Sequence, residues 1–387
     1  MKRFLSVVKS EIHHFLHEPA AILIMIIGVV VYSLFYAMPY SAEVVKNAPV
    51  AVIDLDRTNL SREFTRNLNT TDYVEVVSTP TSMQDAQKDF YKNKTRGIII
   101  IPKDFEQDIL RGKQSTISFY ADTSYLIIYK SVYTGTLQTA VDMGAKIEVA
   151  KLMKSGVPKQ MAMNIKQPFE FVQVPLYNAA GGYETYVYPS ILVMILHQTL
   201  IIGLALMQGT RNELRENYCK KKEVIPYTLF ARCTTYVLLY LFYSIIIFLI
   251  FPAIFVYPMS YNIIPLFALL TVMFYAASFF SHTISYFFKT RESALLILVV
   301  TSLIFIFLPG FIWPKESIPA CINVFAQFIP ATSGVDGIIK INQMGGTFWN
   351  IRYNFLWLLI LCLVYFVSSC KIMKLLFKEK YSNSLNS

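Results

Sequence analysis

Few side chains in this sequence are equipped for chemistry, and most of their spacings lead nowhere. His13 and His17 stand four apart, which would present two imidazoles on one helical face as metal ligands. No third ligand accompanies them, so they read as part of a polar helix face. Asp54 and Asp56 close an apolar run, Pro49–Leu55, where two carboxylates could share general acid–base work. Carboxylates in that place also close turns and cap helices, and that reading is preferred. The five cysteines (Cys219, Cys233, Cys321, Cys362 and Cys370) follow no CxxC or Cys/His pattern, so neither a zinc site nor a disulfide framework is expected. The sequence has no G-x-x-x-x-G-K-[ST] loop, no G-x-S-x-G elbow and no H-E-x-x-H helix. We expect neither catalytic residues, nor a metal, nor a cofactor bound by this chain. Three features remain: His197 and Gln198 inside an apolar stretch, a run of charge from Arg211 to Glu223, and a proline-broken segment from Pro309 to Pro330.

The elements that must hold these residues are hydrophobic. Charged residues make up 16% of the 387, against about 25% in soluble domains, and 55% are hydrophobic. That balance marks an integral membrane protein. The net charge of +10 sits beside the apolar spans, as the inside-positive rule requires, so no nucleic acid is expected as a partner. Six transmembrane helices are predicted, at about 20–38, 187–207, 231–257, 263–288, 293–313 and 352–370. The first lacks an A-x-A-like cleavage site and reads as a retained anchor. Residues 1–19 precede it as an interfacial amphipathic helix. Phe4, Leu5, Val8, Ile12, Phe15 and Leu16 are read on one face, and Lys2, Lys9, Glu11 and Glu18 on another.

Charge then orients the spans. Lys220–Lys222, Lys289 with Arg291, and the tail 374–387 with Lys374, Lys378 and Lys380 make the short inner segments basic, while the short outer ones are nearly neutral. Both termini are therefore placed in the cytoplasm and residues 40–186 outside it, leaving 187–373 as the rest of the membrane domain. His197 and Gln198 fall in the second span. Polar groups there bond to neighbouring helices or line a path, and both readings stand.

Residues 40–186 turn charged and polar. Strand patterns at 49–55, 73–78, 97–101 and 115–120 alternate with helices opening at Thr58 or Asn59 and at Thr81 or Ser82. This predicts an α/β domain with a small mixed sheet inserted into an α-helical membrane protein. The fifth span is the unusual one. Ala294–Leu308 is uncharged, and then Pro309, Gly310, Pro314, Pro319 and Pro330 interrupt it. Broken backbone at membrane depth leaves unpaired N–H and C=O groups, and survives only where helices cover it or it lines a cavity. The segment is expected inside the bundle near one membrane face.

Several short stretches, in order, resemble the motifs of one transporter family. They are Lys9-Ser10-Glu11 leading to His17-Glu18-Pro19; V-A-V-I-D-L-D from Val50; R-G-I-I-I-I-P-K-D-F from Arg96; F-Y-A-D from Phe119; and Gly209-Thr210-Arg211-Asn212-Glu213. The last are P-G-F-I-W-P-K-E-S-I-P from Pro309, F-I-P-A-T from Phe328, and Gly334. Together they look like the permease subunits of type 2 ATP-binding-cassette exporters, in the subgroup with a large extracytoplasmic domain after the first span. The sequence departs from that pattern at His17, where an Arg is usual, and at Pro309, where Ser is commoner. The family's Leu-x-x-x-Pro is only loosely present, as Val224-Ile225-Pro226.

The resemblance implies a permease that does no chemistry itself. Two copies, identical or paralogous, would pair around a shared path. A separate cytoplasmic ATPase would bind the ATP and press on the inner loop and surface helix. Coupling would fall to Arg211, Glu213, Arg215, Glu216 and Tyr218, surface-helix contacts to Lys9, Glu11 and Glu18, and an outer gate to Pro309, Gly310, Phe311, Pro314, Pro319 and Pro330. The implied cargo is amphipathic, lipid or drug-like, leaving the cytoplasm or inner leaflet of a bacterial inner membrane. Membrane lipids and a periplasmic adaptor protein are further partners consistent with it. The alternative is a membrane-anchored receptor acting through its extracytoplasmic domain, but a pure anchor needs only one or two spans. A secondary transporter would show inverted repeats and acids within its spans, and the predicted spans hold no Asp or Glu.

Overall fold

The computed structural model describes residues 2–37, 45–166, 174, 176–177, 183–214, 224–255, 262–288 and 290–385. The chain divides into two units, Met1–Glu43 with Pro175–Ser387, and Val44–Val174. Helix α1 is Lys2–Leu16. Helix α2 starts at Pro19, where a missing N–H costs nothing, and runs through a π-helical turn at Leu23–Gly28 to Ala37.

The inserted unit is α/β. It runs β1 (Ala48–Asp54), α3 (Asn59–Asn69), β2 (Val74–Ser78), α4 (Met83–Tyr91), β3 (Gly97–Ile101), α5 (Phe105–Leu110), β4 (Ser118–Ala121), α6 (Leu126–Lys154) and α7 (Lys159–Lys166). The sheet order is β2-β1-β3-β4, parallel except for the β3–β4 pair, with Val52 opposite Ile99 and Ile99 opposite Phe119. Strands β1 and β3 are apolar without alternation because both faces of the sheet are covered. Phe64, Leu68, Phe105, Val132 and Met143 cover one face, and Ala86 with Met83 and Phe90 the other. Asp54 and Asp56 close the turn after β1. Asp54 Oδ1 accepts from the backbone N–H groups of Asp56 (3.1 Å) and Arg57 (2.8 Å), and Asp56 Oδ2 accepts from Thr58 Oγ1 (2.6 Å) and Glu106 N (3.1 Å). Thr58 and Ser61 form a capping box on α3.

The membrane unit continues with α8 (Tyr183–Glu213) and α9, which begins at Ile225 and passes a π-helical turn, Ile246–Ile250, to reach Phe255. Then come α10 (Ile263–Ile284), α11 (Arg291–Phe307), α12 (Ala320–Gln327), α13 (Pro330–Asn342) and α14 (Arg352–Leu385). Helix α8 is apolar all round and is the centre of the unit, packed by α2, α10, α11 and α13. Lipid tails are as apolar as leucine, so packing and interhelical hydrogen bonds hold such a bundle. Tyr240 OH donates to Thr199 Oγ1 (3.0 Å) and Ser281 Oγ to Ile201 O (2.8 Å), each worth about 0.6 kcal/mol on average.

Among the described residues, five helices are long and apolar enough to cross a membrane: Pro19–Tyr36, Val187–Glu213, Ile225–Ile254, Ile263–Ile284 and Arg352–Leu375. The fifth expected span, 293–313, is not among them. Helix α11 holds 17 residues and stops at Phe307 before Pro309. At 1.5 Å per residue it spans about 25 Å, short of a core of about 30 Å.

Candidate functional site

Helix periodicity decides what α1 can bury. At 100° per residue Glu11 lies roughly 160° around the helix from Lys9, beside Phe15 rather than with the lysines. The structure follows the wheel and corrects the expected polar face. Lys9 is exposed, whereas Glu11 and Glu18 are buried together with Phe15. Leu5, Ile12 and Leu16 are the apolar residues left exposed.

Glu11 is the hub of a charged junction where helix ends meet. Both its carboxylate oxygens accept from the Arg211 guanidinium at 2.6 Å, at the end of α8. Arg232 Nε of α9 lies 3.4 Å from Oε2, and Tyr236 OH donates to Oε1 at 2.8 Å. Burial raises the Glu11 pKa, but the charges and hydrogen bonds of Arg211 and Arg232, with Tyr236, overcome it and hold the group at about 2. Removing one partner from a buried ion pair costs about 3–5 kcal/mol, because the survivor keeps an uncompensated charge.

The same end of α8 grips α11. Glu18 Oε2 accepts from Thr210 Oγ1 (3.1 Å), and Arg291 lies 3.9 Å from Glu18 Oε1. Glu213 Oε1 accepts from the backbone N–H of Arg291 (2.8 Å), the first residue of α11, where an anion also meets the positive helix end. Asn212 Nδ2 donates to Phe288 O at 3.0 Å. Gly209 lets the two backbones touch, since a Cβ there would stand 2.7 Å from Arg291 Cα. The last six residues of α8, 208–213, thus tie together α1, α2, α9 and the turn before α11.

The proline-broken segment forms a second polar cluster. Gly310 has φ +81°, a conformation L side chains rarely adopt, and the adjacent Phe311 is buried. Pro314 opens a 3₁₀ turn, Pro319 precedes α12, and Pro330 starts α13. Helix α13 packs against α8, α10 and α14 and is almost wholly buried, whereas residues 312–314, 316–317 and 319–322 are exposed, so only the two ends of the broken segment lie inside the bundle as expected. Asp336 ties the segment down. Its carboxylate accepts from Lys315 Nζ (2.8 Å), Lys340 Nζ (2.7 Å) and Asn354 Nδ2 (2.8 Å). Burial raises its pKa, but those three hydrogen bonds and the Lys315 charge bring it to about 2. Trp357 Nε1 and Tyr365 OH donate to Gln327 O (2.7 Å) and Phe328 O (2.5 Å).

The expected site residues therefore separate. Arg211, Glu213, Glu11 and Glu18 meet at one junction, Lys9 points away from it, and the prolines gather at the other cluster. Arg215, Glu216 and Tyr218 lie outside the described residues. His197 is fully buried in α8 with neither ring nitrogen hydrogen-bonded, and Gln198 Nε2 likewise lacks a partner. His13 and His17 stay on the exposed side of α1, with His17 Nδ1 2.8 Å from His13 O. Sequence reasoning missed Arg232, Tyr236 and Arg291. Arg232 had a readable signal: a lone cation at the start of an apolar span needs an anion to face.

The fold is a helical unit with five helices long and apolar enough to cross a membrane, its polar groups gathered where helix ends meet, and an inserted α/β unit. The chain belongs to the ABC-2 family: the model of the ABC-2 family transporter protein matches residues 20–371. No curated protein matches it. Membership makes the chain a multi-pass membrane permease component, not itself catalytic, of a kind that associates with an ATP-binding subunit.

Proposed function

We propose that this chain is the permease subunit of an ABC exporter. It pairs with a second permease, identical or paralogous, and is driven by a separate cytoplasmic ATPase that binds the ATP. The cargo is an amphipathic, lipid or drug-like molecule leaving the cytoplasm or inner leaflet. The setting is a bacterial inner membrane, with six spans, both termini cytoplasmic and residues 40–186 outside, where a periplasmic adaptor would dock. The fifth span is then α11 extended through the broken segment. His197 and Gln198 sit on the central helix, where a shift of the bundle would turn them toward the path.

The observation that carries this reading is the Glu11–Arg211–Arg232 junction. An ATPase acts on a permease only if its push reaches helices without being absorbed. A buried charge hub at the foot of α8, α9 and α1 joins the surface helix to two membrane helices. The charged loop that follows, with Arg215, Glu216 and Tyr218, is the contact for the ATPase.

The test is charge reversal at the end of α8 and on that loop. Glu213→Lys with Glu216→Lys leaves insertion intact and abolishes efflux of an amphipathic dye from cells carrying the chain and its ATPase. Unchanged efflux by that variant overturns the coupling assignment.

A further inference from the structure

Helix α6 has a face that no described residue of the chain covers. Lys130, Tyr133, Leu137, Val141, Gly144 and Glu148 recur at three- and four-residue spacing, so they line one side, and all are exposed. The opposite side, with Val132, Thr136, Thr139 and Met143, is buried in its unit. A helix on the outside of a small α/β unit should turn polar residues outward. This one turns out Tyr133, Leu137 and Val141, with Leu137 47% and Val141 56% accessible. Such a stripe marks an interaction surface. Tyr133 is stacked on Tyr129, with ring centroids 6.1 Å apart, so the surface is preformed.

Gly144 is the second observation. It lies inside the helix without positive φ, and a Cβ there would meet nothing within 4 Å. Neither its backbone nor its neighbours among the described residues require glycine, which costs about 1 kcal/mol in a helix interior. Close approach of a second helix does require it.

Charge selects that second helix. Lys130 stands toward one end of the stripe and Glu148 toward the other. An identical helix laid antiparallel, with Leu137 over Val141 of the second copy, brings Lys130 over Glu148 at both ends. A parallel copy in register would set Lys130 on Lys130 and Glu148 on Glu148. Glu148 already pairs with Lys166, yet its side chain stays 54% exposed and open to another cation. We propose that the α6 stripes of two copies of this chain pack antiparallel about a two-fold axis that passes between Leu137 and Val141. This deepens the permease-pairing reading, on which it rests, by naming a contact surface and making the partner an identical chain.

The test uses the full chain in membranes, with all five native cysteines replaced by Ser as background. Leu137→Cys with Val141→Cys, oxidised by copper–phenanthroline, gives a covalent dimer on a non-reducing gel, while the background chain gives none. Lys130→Glu lowers the dimer yield several-fold, and adding Glu148→Lys restores it. Two differently tagged copies test pairing separately. Copies that co-purify without the disulfide overturn the surface and leave pairing standing. Copies that do not co-purify overturn both the identical-copy pairing and the surface. Unlinked cysteines whose attached fluorophore is quenched by nitroxide lipids assign the stripe to the bilayer and overturn the proposal.

Discussion

Two carboxylates in the membrane unit each hold two cations, and their surroundings differ. Glu11, with a side chain 3% exposed, sits between Arg211 and Arg232; Asp336, 29% exposed, sits between Lys315 and Lys340. The first uses planar guanidinium groups that stay charged when buried. The second uses ammonium groups on flexible stems, still reached by water. The difference teaches how one bundle builds both a joint and a latch. A dry ion cluster cannot open without leaving a bare charge, so it should hold its helices together as one piece. A half-wet cluster exchanges protein partners for water at small cost, so it should be the easier of the two to open.

The largest expected effect is at the joint. Glu11→Gln keeps the shape and strands two buried arginine charges, and should cost about 3–5 kcal/mol, read as a lower melting midpoint of the purified chain. Acid should act through the same group. The folded-state pKa of Glu11 lies below its ordinary 4.5, so its charge contributes stability above that value and loses it as pH falls toward about 2. Asp336, lowered from 3.8 to about 2, adds to the loss in the same range. The wild-type melting midpoint should drop across this window, and Glu11→Gln should remove the glutamate's share.

Gly209→Ala comes next. The added Cβ meets backbone, not a side chain that can swing away, so α8 and the Arg291 turn must part at about 1–3 kcal/mol, seen on the same melt. Asp336→Asn should cost about 1 kcal/mol, since its pairs are partly exposed. Added salt should shrink the Asp336→Asn defect and leave the Glu11→Gln defect in place, which separates latch from joint. Smallest is Lys9→Ala, on the exposed side of α1, expected within about 0.5 kcal/mol of wild type.

The sheet was legible because β1 and β3 are uninterrupted apolar runs ending at Asp54 and Pro102. Most spans were legible because length and apolar composition mark them. The joint was legible only in part. Glu11 was grouped with Lys9 by its polarity, although helical angle sets it beside Phe15, and Arg232 was absorbed into an apolar span. Contacts such as Glu11–Arg211 join residues far apart in sequence, and no local pattern encodes them. The fifth span reads long because Leu308–Trp313 is hydrophobic, yet Pro309 and Gly310 end the helix at Phe307. The burial of α13 follows from packing against three other helices.

The central claim is that a separate ATPase drives this chain through the junction at the foot of α8. The most direct measurement is a mild-detergent pull-down of the tagged chain from its native membrane, read by mass spectrometry and ATP hydrolysis. The account predicts a stoichiometric ATP-hydrolysing partner that is lost with Glu213→Lys and Glu216→Lys. A chain that purifies with no such partner, or a partner retained by that variant, would contradict it.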